Sequence, residues 1–284
     1  MKGVFVTGTG TGVGKTLTCG LLAGFLRARG MRVTTQKWVE TGVTDGPSDI
    51  DVHRRLMGDP GPAPEPPPAD RCPYRFSLPA SPHLAAAIEK RRVDPAVIEA
   101  AHRRLMGGPG PAPEPPPADR CPYRFSLPAS PHLAAAREGR RVDPAVIEAA
   151  FRRLAETHDA VLVEGAGGFL VPLSEELLIG DLVARIGLPV LVVVPNRLGC
   201  VNDALLTVEA VRRRGVPLPG LVFNRLPGEG EGTRAEALAD TPRIVAAITQ
   251  APVLGEVPFL SDPARGAEAF APVGRAFLER WRST

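Results

Sequence analysis

The chain has 284 residues, 44% hydrophobic and 23% charged, the composition of an ordinary globular protein with enough length for one large core or two modest ones. Its net charge of +3 singles out no acidic partner, so no nucleic acid or membrane surface is expected, and no apolar run approaches membrane-span length. The four cysteines, Cys19, Cys72, Cys121 and Cys200, contain no C-x-x-C pair; this argues against a zinc site or disulfide framework and fits a reducing, cytoplasmic setting.

Val4-Phe5-Val6 is a short strand-forming run that leads into Gly8-Thr9-Gly10-Thr11-Gly12-Val13-Gly14-Lys15-Thr16. From Thr16 to Arg29, Leu17, Leu21, Leu22 and Phe25 recur at helical spacing. Strand, glycine loop and helix in that order make a phosphate-binding loop. Glycines let backbone N–H groups close around phosphate oxygens, Lys15 adds a positive charge, and the Thr16 hydroxyl can meet a nucleotide-borne Mg²⁺. The loop is one residue longer than the common pattern: the usual first glycine position is Thr9, and the nearest glycine is Gly8.

Gly30 is placed to cap this helix, and Met31 to Thr35 predicts a second, parallel strand with Lys37 at its carboxyl end, the edge where open α/β sheets bind ligands. Only four of the 34 basic residues are lysines, Lys2, Lys15, Lys37 and Lys90, so two of this scarce type fall on one rim. Asp49 opens a helix through Val52 and Leu56, where capping is the commonest use of an aspartate.

Residues 53–101 recur as 102–150 with 46 of 49 positions identical, the mismatches being Asp59/Gly108, Ile88/Arg137 and Lys90/Gly139. Two such copies are a tandem duplication rather than a solenoid, and each carries a proline-dense tract suited to extended backbone.

Ala160 to Val163 predicts a buried strand that ends in Glu164-Gly165-Ala166-Gly167-Gly168. A carboxylate after four apolar residues needs a cation or metal partner. Leu188 to Val194 predicts a strand, Leu198-Gly199-Cys200-Val201-Asn202 opens a helix to about Arg214, and Leu221 to Phe223 is a strand ending in Asn224. Glu229 to Thr233 reads as a loop, Val253 to Gly255 as a last strand, and Ala267 to Trp281 as a closing helix. Cys200 is a packing residue or, if exposed at its helix start, an acidified thiol. The fold class is α/β: a P-loop, doubly wound, mainly parallel sheet with helices on both faces, in a single domain.

The loop Gly8 to Thr16, Lys37 with Thr41-Gly42, Ser48-Asp49, Tyr123-x-Phe125 with Ser130-Pro131-His132, Val163 to Gly168, Leu198 to Asn202, Asn224, and Leu254 to Pro258 occur in the order found in dethiobiotin synthetases. The chain resembles that family over essentially its whole length apart from one repeat copy, and the lengthened loop is shared. The resemblance implies an ATP- and Mg²⁺-dependent closure of 7,8-diaminopelargonate (7,8-diaminononanoate) with CO₂ to dethiobiotin, by way of a carbamate and a carbamic-phosphoric anhydride. It implies ATP contacts at Gly12, Val13, Gly14, Lys15, Thr16, Leu17, Gly165, Ala166 and Gly167, and Mg²⁺ at Thr16, Asp49 and Glu164. Lys15, Lys37 and Thr11 would serve the reacting groups. Asn224, Arg225 and Pro258-Phe259-Leu260 would contact adenine, and Thr41 the substrate. In this family a homodimer places Gly199, Cys200, Val201 and Asn202 of the partner on the substrate carboxylate.

Two departures from the family pattern stand out. Trp38 takes the place of the usual proline after Lys37. One repeat copy is also surplus: removing a unit brings the Asp49-to-Glu164 separation from 115 to 66, close to the family's, and about 59–107 is expected to loop out while the second copy packs. Other P-loop readings are an amide-forming ligase of cofactor synthesis, a partitioning-type ATPase switch, which usually has a signature lysine where Gly10 stands, and an inactive nucleotide-binding scaffold.

Overall fold

The computed structural model describes residues 2–42, 46–58, 117–227, 233–260 and 265–282. The first half runs β1 (Gly3–Gly8), α1 (Lys15–Arg27), β2 (Val33–Lys37), β3 (Val39–Glu40), α2 (Asp49–Leu56), α3 (Pro117–Arg120), β4 (Tyr123–Arg124), α4 (Pro131–Arg137) and α5 (Pro144–Thr157). It continues with β5 (Ala160–Gly168), α6 (Ile179–Ile186), β6 (Val190–Pro195), α7 (Cys200–Arg213), β7 (Gly220–Asn224), α8 (Thr233–Thr249), β8 (Val253–Val257) and α9 (Gly266–Arg282).

Six strands form one parallel sheet in the order β2-β5-β1-β6-β7-β8. Their continuous apolar runs are what a sheet covered on both faces requires. Alternate side chains divide between two cores. Val4, Val6, Leu162, Val193 and Val222 pack with Leu22 and Leu26 of α1 and Phe270 and Phe277 of α9. Phe5, Val161, Val163, Val192 and Phe223 pack with Ile147 and Leu154 of α5, Leu182 of α6 and Val211 of α7. The doubly wound expectation holds. β1 lies between β5 and β6, so the chain leaves it in both directions and the crevice opens at its carboxyl end.

Two local expectations change. β5 does not end before Glu164; it runs on to Gly168, because its small residues stay alongside β1 (Val6 opposite Glu164, Gly8 opposite Gly168). Glu164 therefore sits inside the sheet, also opposite Lys37 of β2. Asp49 is not the cap of α2: Ser48 is, in a reciprocal capping box with Asp51, which leaves the Asp49 carboxylate free for the cleft. Trp38, in place of the family's proline, packs into the core next to Lys37. Its ring is buried 4.7 Å from that of Phe5, and its Nε1 donates to Gln36 Oε1 at 3.1 Å, while Gln36 Nε2 donates to the Asp119 carbonyl at 2.7 Å.

Helices α5, α6 and α8 were not anticipated by the periodicity argument, and α8 contains Pro242. Of the duplicated unit, residues 53–58 of the first copy and 117–150 of the second are described; the suggested surplus stretch 59–107 lies outside the described residues, as does the expected loop up to residue 232. No described helix is long and apolar enough to cross a membrane.

Candidate active site

The glycine loop joins β1 to α1 with positive φ at Gly12 (71°) and Gly14 (96°), conformations in which a side chain is strained. The lengthened loop folds onto itself, with buried Val13 packed so closely on Gly8 that a Cβ there would lie 2.4 Å from Val13 Cγ2. α1 starts at Lys15 with no side-chain cap and no acidic residue in its first turn, so its leading N–H groups await an anion. Lys15 is buried and donates to the Gly10 carbonyl at 2.7 Å. Burial, followed by the charge of Lys37, lowers its pKa to about 8.

Beside the loop, three elements converge. Thr16 Oγ1 lies 3.1 Å from Asp49 Oδ1 and 3.0 Å from Glu164 Oε1. Lys37 Nζ lies 2.7 Å from Asp49 Oδ2 and 2.6 Å from Glu164 Oε1, and donates to the Gly165 carbonyl at 3.1 Å. Burial alone would raise the Glu164 pKa; the Lys37 charge and the His53 hydrogen bond outweigh it and hold the carboxyl at about 2. Burial works against the Lys37 charge too, but Glu164 and Asp49 raise its pKa above the ordinary lysine value. One Thr16 hydroxyl proton cannot serve two carboxylates at once. Lys37 balances only one of the two carboxylate charges, and a hydroxyl with two carboxylates is a hard oxygen donor set, so the residues fit Mg²⁺.

Two residues that sequence reasoning missed complete the arrangement. Glu40 Oε1 accepts from the Asp49 backbone N–H at 2.7 Å, and its Oε2 accepts from Arg124 at 2.9 Å, so β3 and β4 fix the start of α2. His53 Nε2 lies 2.8 Å from Glu164 Oε2. Its position four residues after Asp49 puts both on one helix face, and that spacing was the available signal.

The cleft encloses about 850 Å³ and is lined by Thr11, Gly12, Gly14, Lys15, Thr16, Leu17, Lys37, Thr41, Asp49, Glu164, Ala166 and Gly167, with Val39, Val52, Pro128 and Val171 among its apolar wall. Asn224 stands behind the loop: a Cβ on Gly14 would fall 2.1 Å from its Nδ2, which donates to the Val13 carbonyl at 3.0 Å. Its buried Oδ1 has no hydrogen-bond partner among the described residues. Arg225 is paired with Glu256, and Pro258, Phe259 and Leu260 follow β8 outside the cleft lining. Gly199 to Asn202, at the start of α7, also lie outside it. Cys200 is fully buried and burial raises its thiol pKa, which favours the packing role.

The AAA domain family matches residues 2–106 and 112–265. The ATP-dependent dethiobiotin synthetase BioD of Chlorobaculum tepidum is 34% identical over 275 residues, 95% of this chain and 91% of its own. The chain belongs to the dethiobiotin synthetase family. A second dethiobiotin synthetase, from Anaeromyxobacter dehalogenans strain 2CP-C, is 36% identical and covers 98% of this chain and all of its own. Among solved structures, the cell division ATPase MinD of Pyrococcus furiosus superposes with a TM-score of 0.50 at 15% identity over 98% of this chain and 99% of its own, a likeness of fold alone. The family membership decides between the P-loop readings in favour of the dethiobiotin synthetase over the partitioning switch.

Proposed function

We propose that the cleft between the glycine loop, α2 and the end of β5 carries out the ATP- and Mg²⁺-dependent closure of 7,8-diaminopelargonate with CO₂, the ligase reaction of the family in biotin biosynthesis. The observation that carries this is the contact of Thr16, Asp49, Glu164 and Lys37 beside an uncapped helix start. One amine of the substrate adds to CO₂ and loses a proton to give a carbamate. A carbamate oxygen takes the γ-phosphoryl group with release of ADP, and the second amine then attacks the carbonyl carbon, closing the ring and expelling phosphate. Such chemistry asks the protein mainly for positioning and charge stabilisation.

Thr16, Asp49 and Glu164 would hold Mg²⁺, which neutralises phosphate charge when bound. Lys37, kept protonated by two carboxylates, faces the transferred group and the carbamate. Phosphate oxygens would pair the buried Lys15 ammonium better than the Gly10 carbonyl does. Thr11 and Thr41 touch the substrate from the cleft wall. Asn224 keeps an Oδ1 without a hydrogen-bond partner among the described residues, an acceptor suited to the exocyclic amine of adenine. The uncapped start of α7 lies outside its own cleft, and Leu198 and Leu206 near it are exposed; both support a homodimer in which these amides receive the partner's substrate carboxylate.

The test is ATP-dependent phosphate release, expected only with diamine and bicarbonate together; release that ignores either one sinks the reading. The second repeat copy holds the packed position in this proposal, with Tyr123, Phe125 and Ile147 in the core. Limited proteolysis is expected to cut within 59–107, and cleavage confined to 117–150 contradicts it.

A further inference from the structure

Helix α2 is polar, and of its eight residues only His53 is buried. The imidazole is fully enclosed, reaching the sheet because α1 admits α2 at close range: a Cβ on Gly20 would lie 3.2 Å from the His53 Cα. A buried imidazole is costly unless hydrogen-bonded, and a leucine would fill such a slot more cheaply. The side chain it meets is Glu164, 1% exposed, whose Oε1 serves Thr16 and Lys37 and whose Oε2 lies 2.8 Å from His53 Nε2. His53 Nδ1 has no partner among the described residues, so the arrangement is satisfied with the proton on Nε2, donated to the carboxylate.

We infer that His53 is a positioning residue for the metal site: its Nε2–H pins Glu164 Oε2, so that Oε1 stays turned toward Thr16. The inference rests on the reading of Glu164 as a Mg²⁺ ligand. The terminal torsion of a glutamate is soft. Without the imidazole donor, and with no solvent access, the carboxylate turns both oxygens to Lys37 and withdraws from Thr16. Asp49 and His53, one turn apart, thus give α2 two functions on one face: a ligand, and the group that aims the opposite ligand. Partners that orient metal ligands are worth about 10- to 100-fold in metal affinity.

The test uses the full chain with Mn²⁺ as a spectroscopic probe in the presence of a non-hydrolysable ATP analogue. His53→Leu is expected to weaken Mn²⁺ binding by about 10-fold or more, while His53→Gln, which keeps an N–H donor, stays within about three-fold of the parent. Metal-free binding of the analogue is expected to be unchanged in both. Parent-like Mn²⁺ affinity in His53→Leu overturns the inference, and so does an equal loss in both variants, which would make packing the cause. Parent-like affinity in Glu164→Gln sinks the ligand reading instead. Should the leucine variant fail to fold, ¹⁵N NMR of the unmodified protein decides: a proton on His53 Nε2 supports the inference and an Nε2 without one overturns it.

Discussion

The paired stretch of β2 and β5 has a basic and an acidic residue at its carboxyl end and another such pair just before its amino end. At the amino end Arg32 meets Asp159 at 2.7 Å with side chains 63% and 41% exposed. At the carboxyl end Lys37 meets Glu164 at 2.6 Å with 6% and 1% exposed. Distance does not separate the pairs, and both carboxyls are held at about 2. The causes differ. Hydrogen bonds from the Arg32 side chain and backbone lower Asp159 with little burial to overcome, whereas Glu164 is lowered in spite of burial. An exposed pair clips two strand ends in register and contributes little else. A buried pair of the same kind is a poor way to gain stability, and its position on the ligand edge marks it as a functional arrangement.

The comparison is broken most sharply at Lys37. Lys37→Met leaves Glu164 buried beside Asp49 without a cation, and is expected to destabilise the fold by about 3–5 kcal/mol and to abolish diamine-dependent phosphate release, read by urea denaturation and a phosphate assay. Asn224, on the same edge but outside the ion cluster, gives a smaller effect. Asn224→Ala is expected to raise the KM for ATP about tenfold, equivalent to one lost hydrogen bond, with little change in kcat, and to narrow the preference for ATP over GTP.

The smallest effects belong to the amino-terminal pair. Arg32→Ala is expected to leave phosphate release at the parent rate and to lower Tm slightly; a loss of activity comparable with that of Lys37→Met would remove the distinction drawn between the two ends. The depressed carboxyl pKa values fix the sign of the pH dependence. The folded state binds fewer protons than the unfolded, so both contributions are present above the ordinary carboxylate range and disappear as pH falls toward about 2. Salt separates the two. In about 1 M NaCl, where the Debye length is about 3 Å, Asp159→Asn is expected to match its parent in acid-unfolding midpoint. At low salt the parent unfolds at lower pH than the variant.

The sequence made the glycine loop, Lys37 and Glu164 legible because each is a chemical exception in its surroundings: a lysine in an arginine-rich chain, a carboxylate closing an apolar run. Their convergence on one edge followed from strand direction. His53 and Glu40 were not legible in the same way. The helical spacing puts His53 on the face of Asp49, but the carboxylate it meets is 111 positions away, and Glu40 finds Arg124 at a separation of 84. Asn224 packs on the loop across 211 positions. Such contacts belong to the tertiary fold, and local periodicity carries no record of them. The end of β5 was misread because Gly165 to Gly168 is turn-like in composition, whereas flanking β1 keeps it extended.

Helix α2 is anchored unevenly. Its carboxyl end is held by Leu56 and Met57 against Gly20 and Gly24 of α1; its amino end rests on Glu40, Ser48 and the charged cluster. Segments with few buried apolar contacts open at free energies well below global unfolding. The amides near Asp49 are therefore expected to exchange with solvent sooner than those of β1 and β5, and to slow once nucleotide and metal are bound. The segment that presents the Asp49 carboxylate is then a reporter of occupancy, and its protection against exchange measures how far ligand binding completes the fold.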